Sequence, residues 1–181
     1  MIDYNGTPVS VEPTYMAAVT NVITVPASTK PFFVLMGSGT KTIRAIRIHI
    51  TGPTLTTAEY NSIVLKKISS APENGTITTL VKTPTDSVIP SSTASLCQMY
   101  TSAPSSDGTL IGTLQSQRVL LQNTSIGSSE QFTEILFDLR PPESSAGIVL
   151  RGTSEGITMS FGATPGSAVT LSLEAEWSET N

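Results

Sequence analysis

TKTIRAIRIHITG, residues Thr40–Gly52, is the stretch whose reading decides the fold. Ile46, Ile48 and Ile50 fall on one face, and Ala45, Arg47, His49 and Thr51 on the other. A period of two, rich in β-branched side chains, predicts a half-buried strand. The chain ends on the same signature, with Val169, Leu171, Leu173, Ala175 and Trp177 alternating with Thr170, Ser172, Glu174 and Glu176. Two long strands with one apolar face each need a second layer to cover them. The expectation is an all-β, antiparallel β-sandwich of jelly-roll type with about ten strands.

Working outward, Ala17–Val25 reads as a first strand stopped by Pro26, and Phe32–Met36 as a short apolar one ending at Gly37-Ser38-Gly39. Gly52-Pro53 is expected to end the organising strand, and Thr56–Tyr60 to form one helical turn. Asn61–Ser70 is a further strand. Asn74-Gly75 is a hairpin signal with Thr76–Lys82 as the return strand. The remaining strands are placed at Thr93–Thr101, Thr109–Gly112, Arg118–Gln122, Phe132–Leu139, Gly147–Arg151, Gly156–Phe161 and Ala168–Glu176. No repeat of fixed period occurs. Residues 1–16, with Pro8 and Pro13 and no sustained pattern, read as an extended arm, and residues 17–181 as one domain.

Composition narrows the function classes. Serine and threonine make up about 28% of the 181 residues, charged residues only 13% and hydrophobic ones 38%, with a net charge of −4. Such a chain is too apolar for disorder and lacks the basic face that nucleic acid requires. Cys97 is the single cysteine, so neither an internal disulfide nor a Cys-based zinc site is expected; it reads as a small buried hydrophobe. The start of the chain lacks the basic-then-apolar pattern of a signal peptide, and no window is apolar enough to span a membrane. Folding in a reducing cytosol is the expectation.

Catalytic constellations are sparse. His49 is the only histidine, without a second ligand for a metal or a nucleophile elbow to serve. The loop Gly37–Thr42 fails as a phosphate cradle, because Thr40 separates Gly39 from Lys41 and a strand follows where a helix is needed. Glu174 and Glu176, like Glu130 and Glu134, are carboxylate pairs, but they read as solvated or as partners of Arg47 or Arg44 across strands. Three Asn-x-Ser/Thr triplets, at Asn5, Asn74 and Asn123, are of the kind that arises by chance here. The expectation is no catalytic residue, no cofactor and no metal. Arg47 and His49, opposite the isoleucine face, are the candidate interface residues, with Pro8 and Pro13 of the arm. The alternation leaves three surroundings open for the Arg47–His49 face: a partner subunit, the rim of the second sheet, or solvent.

Three segments carry a resemblance: Met36–Gly52 (MGSGTKTIRAIRIHITG), Val149–Ile157 (VLRGTSEGI) and Leu171–Glu179 (LSLEAEWSE), with Pro84–Thr113 adding to it. They are similar to small virion structural proteins of tailed phages, which share the Gly-Ser-x-Thr-Lys-Thr strand, the RGTSEG turn and the C-terminal Glu-Trp pair. The likeness covers most of residues 17–177. It implies a capsid decoration or cement protein that binds the major capsid protein, assembled in the host cytoplasm and found on the capsid surface. It also implies a homotrimer; composition and hydropathy, for their part, lead to the expectation of no nucleic-acid or membrane partner. The alternative is a head-fibre or tail module recognising a host-surface carbohydrate, which the scatter of Tyr4, Tyr15, Tyr60 and Tyr100 does not favour.

Overall fold

The computed structural model describes residues 12–19, 21–123, 133–140 and 147–181. They form thirteen strands and no helix: β1 (Thr14–Ala18), β2 (Ile23–Val25), β3 (Pro31–Met36), β4 (Thr42–Leu55), β5 (Glu59–Ile68), β6 (Ile77–Thr79), β7 (Lys82–Pro84), β8 (Cys97–Tyr100), β9 (Leu110–Asn123), β10 (Glu134–Asp138), β11 (Ile148–Leu150), β12 (Gly156–Phe161) and β13 (Val169–Thr180). One layer runs β6-β8-β3-β12-β5-β9 and the other β4-β13-β1-β7. β10 and β11 lie on the far side of β4, and β2 beside β13. The layers are joined through β9, which is antiparallel to β5 along most of its length and ends parallel to β4 at Gln122 and Asn123. The expected all-β, sandwich-like fold is present, as a single curled sheet with thirteen strands instead of ten and one parallel join.

The Thr40–Gly52 stretch is the spine, but its phase differs from the sequence reading. Ile48 and Ile50 are buried as expected, whereas Ile46 is not and Ala45 and Ile43 are. Across to β13, Arg47 faces Glu176 while Ala45 faces Trp177, so Ile46 is the extra residue of a β-bulge. A bulge shifts the alternation by one and turns everything before it to the other face. Nor does the strand end at Gly52-Pro53. Thr51 faces Ser172 and Thr54 faces Thr170, leaving a second bulge with Gly52 at φ 60°. A left-handed glycine suits that bulge, and at an interrupted ladder the missing N–H of Pro53 is not needed.

Other boundaries moved for similar reasons. The strand expected at Ala17–Val25 is two, β1 and β2, laid end to end along one edge of β13 and linked by Val19 N–H donating to Leu173 O (2.9 Å). The helical turn at Thr56–Tyr60 is absent; β5 begins at Glu59. Asn74 (φ 58°) and Gly75 (φ 86°) do form a turn with two left-handed residues. Its arms are not a hairpin, however, because β6 pairs with β8 and Glu73 bridges Ser106. The return strand Thr76–Lys82 divides into β6 and β7, in different layers. Thr109–Gly112 and Arg118–Gln122 fuse into β9. The strand at Phe132–Leu139 is β10, with residue 132 outside the described residues.

Both layers contribute to one apolar core. Trp177 is fully buried and stacked on Tyr15 at 6.0 Å between centroids, and Phe32 meets Phe161 at 4.9 Å. Cys97 is buried as a small hydrophobe, and burial pushes its thiol up to about 12. One carboxylate is also inside. Glu179, 1% exposed, accepts hydrogen bonds from Ser92 Oγ, Thr93 N and Oγ1, and the Trp177 indole N–H, tying the β7–β8 connection to the last strand.

Candidate interaction surface

The outward positions of three adjacent strands form a grid. On β4 these are Arg47, His49 and Thr51. β13 places Glu176, Glu174 and Ser172 opposite them, and β10 places Asp138, Leu136 and Glu134 on the other side. Arg47 Nε lies 2.5 Å from Glu176 Oε2 and its Nη2 3.8 Å from Glu174 Oε1. His49 Nε2 stands 4.0 Å from Glu134 Oε2. Arg47, His49, Glu134, Leu136 and Glu174 line an open depression of about 440 Å³.

The electrostatics of this face are modest in energy and acidic in sign. Partly exposed pairs of this kind contribute ~0.2–1 kcal/mol each. Asp138 takes Arg140 N–H, Nε and Nη2, and these bonds hold its carboxyl down at about 2. Four carboxylates (Glu134, Asp138, Glu174, Glu176) thus share this face with two guanidiniums, Arg47 and Arg140. Leu136, 51% exposed, supplies an apolar contact beside His49. Among the described residues no group of three or more His, Cys, Asp or Glu is placed to hold a metal ion. The chemistry on offer is recognition through charge-assisted hydrogen bonds around an apolar centre.

The structure brings Arg47 and His49 together on this face. Pro13 sits elsewhere: its carbonyl accepts from Glu179 N at 3.0 Å, near the end of β13, beside Lys41 and Glu12. Pro8 lies outside the described residues, as does Glu130; of the expected arm, Thr14–Met16 belong to β1. Arg47 takes both Glu174 and Glu176, one of the pairings the alternation allowed, whereas Arg44 faces Ser178. Glu134 was visible in sequence only as half of a carboxylate pair, and Leu136 not at all, because their positions depend on β10 pairing across some 85 residues with β4.

The segments around Gly37 and Gly152 meet each other at one end of the sandwich. Gly37 N–H donates to Glu155 O (2.8 Å), and Gly37 O accepts from Ser95 N and Oγ. A Cβ on Gly37 would come within 2.3 Å of Gly152 O. Glu155 Oε2 accepts from Arg151 N–H (3.0 Å) and pairs with Lys67 Nζ at 3.3 Å, while Lys67 also donates to Val149 O. The N–H groups of Thr40 and Lys41 are both directed at Ser38 Oγ. They cap a turn, where a phosphate loop would leave them open to a ligand.

A second depression, of about 510 Å³, lies on the other layer against Tyr60, Ser62, Ser116 and Arg118. Tyr60 is 68% exposed, with the Arg118 guanidinium 4.7 Å above its ring. Sequence reasoning had discounted the tyrosines as scattered, and the Tyr60–Arg118 pairing depends on the register of β5 with β9. No protein-family model, curated protein or solved structure matches the chain.

Proposed function

We propose that this chain is a non-enzymatic virion structural protein of a tailed phage, a capsid decoration or cement protein. Its partner is the major capsid protein, and its place the capsid surface after assembly in the host cytoplasm. The observation that carries this reading is how the resembling segments are used. Gly37, Gly152, Glu155 and Lys67 hold two turns together, Trp177 fills the core, and Glu176 braces Arg47. Residues spent on rigidity suit a protein whose task is to be a fixed shape repeated many times, where avidity multiplies weak contacts. The homotrimer implied by the resemblance belongs to the same reading.

The Arg47–His49 face is the surface proposed to meet the shell. Arg47→Glu places a third carboxylate beside Glu174 and Glu176 and removes the cation between them. It is expected to weaken binding to decoration-free shells at least about tenfold, or about 1.4 kcal/mol, with little change in stability. Titration of shells with wild type and variant, read by co-sedimentation, checks this, and equal binding would discard this face as the docking surface.

The exposed Tyr60 ring favours a second reading, a head-fibre or tail module that binds host carbohydrate. One ring face is covered by Arg118 and the other is open to stack on a sugar. Competable binding on a glycan array, abolished by Tyr60→Ala, would support that reading against the first.

A further inference from the structure

Along β5, Ile63 and Leu65 belong to the core, so Tyr60, Ser62, Val64 and Lys66 alternate with them on the outer face of this layer. β9 sets Leu120, Arg118 and Ser116 against the first three of these. Among the described residues, the exposed Arg118 lies over the Tyr60 ring but pairs with no carboxylate and spends none of its N–H groups. Glu59, next to Tyr60, is occupied elsewhere: its oxygens accept from Gly166 N–H (3.2 and 3.3 Å) and from Asn61 Nδ2 (3.4 Å). Lys66 is also without an ion pair among the described residues. It stands ~13 Å along β5 from Ser62, the residue opposite Arg118. A chain of net charge −4 thus carries a locally positive strip here.

The depression beside Arg118 is kept open by the backbone around it. Asn61, 7% exposed, clamps the turn after β12: its Oδ1 accepts from Ser62 N (2.8 Å) and Ala163 N (3.2 Å), and its Nδ2 donates to Ala163 O (3.0 Å). Gly162 N–H donates to Ser62 O at 2.8 Å, and a Cβ on Gly162 would collide with Ser62 Oγ. The hydroxyls of Ser62 and Ser116 line the space, and among the described residues neither has a hydrogen-bond partner. An unpaired guanidinium, two unpaired hydroxyls and an exposed aromatic ring therefore converge on about 510 Å³, within the range of small-ligand sites.

We infer that this depression binds an acidic saccharide. One sugar ring lies on Tyr60, a carboxylate of that ring or the next takes the Arg118 guanidinium, and Ser62 and Ser116 meet sugar hydroxyls. The inference rests on the carbohydrate reading of Tyr60 and adds to it the acid and the residue that selects it. Guanidinium N–H groups in a fixed fork match a carboxylate edge. Serine hydroxyls both donate and accept, as sugar hydroxyls do. Two cations ~13 Å apart suit sparse charge along the ligand, unlike nucleic acid, where each strand carries one charge about every 3.4 Å. The Arg47 face lies on the opposite layer, so a chain docked there leaves this depression open.

Calorimetric titration of the full chain with trigalacturonate, neutral galactotriose and oligothymidylate tests this. Wild type is expected to bind trigalacturonate at least about tenfold more tightly than either of the others, and less tightly as salt rises. Arg118→Gln should bring trigalacturonate down to the galactotriose level. Ser116→Glu, which puts a carboxylate into the depression, should do the same or worse. Both positions are exposed, and circular dichroism checks that the variants fold. Equal affinity for the acidic and neutral trisaccharides would overturn the acid assignment and leave the carbohydrate reading standing. Absence of binding to either trisaccharide would remove both. Oligothymidylate bound as tightly as trigalacturonate, or either variant keeping the acid preference, would also overturn the inference. Shell binding through Arg47 is read separately by co-sedimentation.

Discussion

Trp177→Ala is expected to lower the free energy of unfolding by about 3–5 kcal/mol, the range for truncating a large buried aromatic. The indole is fully buried, lies in β13 opposite Ala45 and stacks on Tyr15. Its N–H donates to Glu179 Oε1 at 3.2 Å, so truncation opens a cavity and also takes one donor from a buried carboxylate. Trp177→Phe keeps most of the apolar volume and loses that donor, so its cost should be clearly smaller. Urea unfolding followed by circular dichroism measures both. A loss under about 1 kcal/mol for the alanine variant would mean the core around Tyr15 is looser than described.

Glu179→Ala is expected to cost about 3 kcal/mol, because Ser92, Thr93 and the Trp177 indole all lose their acceptor inside the fold. The same carboxylate should shape the response to acid. Burial pushes its pKa up, but the bonds from Ser92, Thr93 and Trp177 outweigh burial and leave it below the usual 4.5. A carboxyl depressed in the folded state stabilises above its unfolded pKa, and that stability is lost as pH falls through the folded one. Wild type should therefore lose stability progressively below about pH 4.5. Glu179→Gln, which cannot ionise, should show a shallower acid dependence. Glu155, drawn down by the Arg151 N–H and Lys67, and Asp138, held down by Arg140, supply the remaining slope. An identical pH profile for wild type and Glu179→Gln would contradict this assignment.

The strands that organise the fold were legible because their period of two is long and clean: β4 and β13 were both anticipated, and so was the class of architecture. The bulge at Ile46 was not legible. Nothing local marks it, since it arises from how Ala45 and Arg47 register with Trp177 and Glu176 on a strand some 130 residues away. β9 was seen as two fragments because Thr113–Gln117 lacks an apolar alternation, and its ladder with β5 overrides that weak propensity. The Asn-Gly pair does make a turn with two left-handed residues, but the hairpin expected there is absent, because turn chemistry does not specify which strand the outgoing arm joins. Within the candidate surface, Arg47 with Glu174 and Glu176 was one of the alternatives that the alternation of the two strands left open, beside Arg44 and solvent. Glu134 and Leu136 enter only through the long-range pairing of β10 with β4.

The most direct test of the proposed role is co-sedimentation of the purified chain with shells assembled from the major capsid protein of the proposed phage, prepared without this protein. The account predicts saturable binding at a fixed ratio to the major capsid protein, together with a higher melting temperature for the decorated shells. Folded protein that stays in the supernatant at every concentration, with shell melting unchanged, would contradict it.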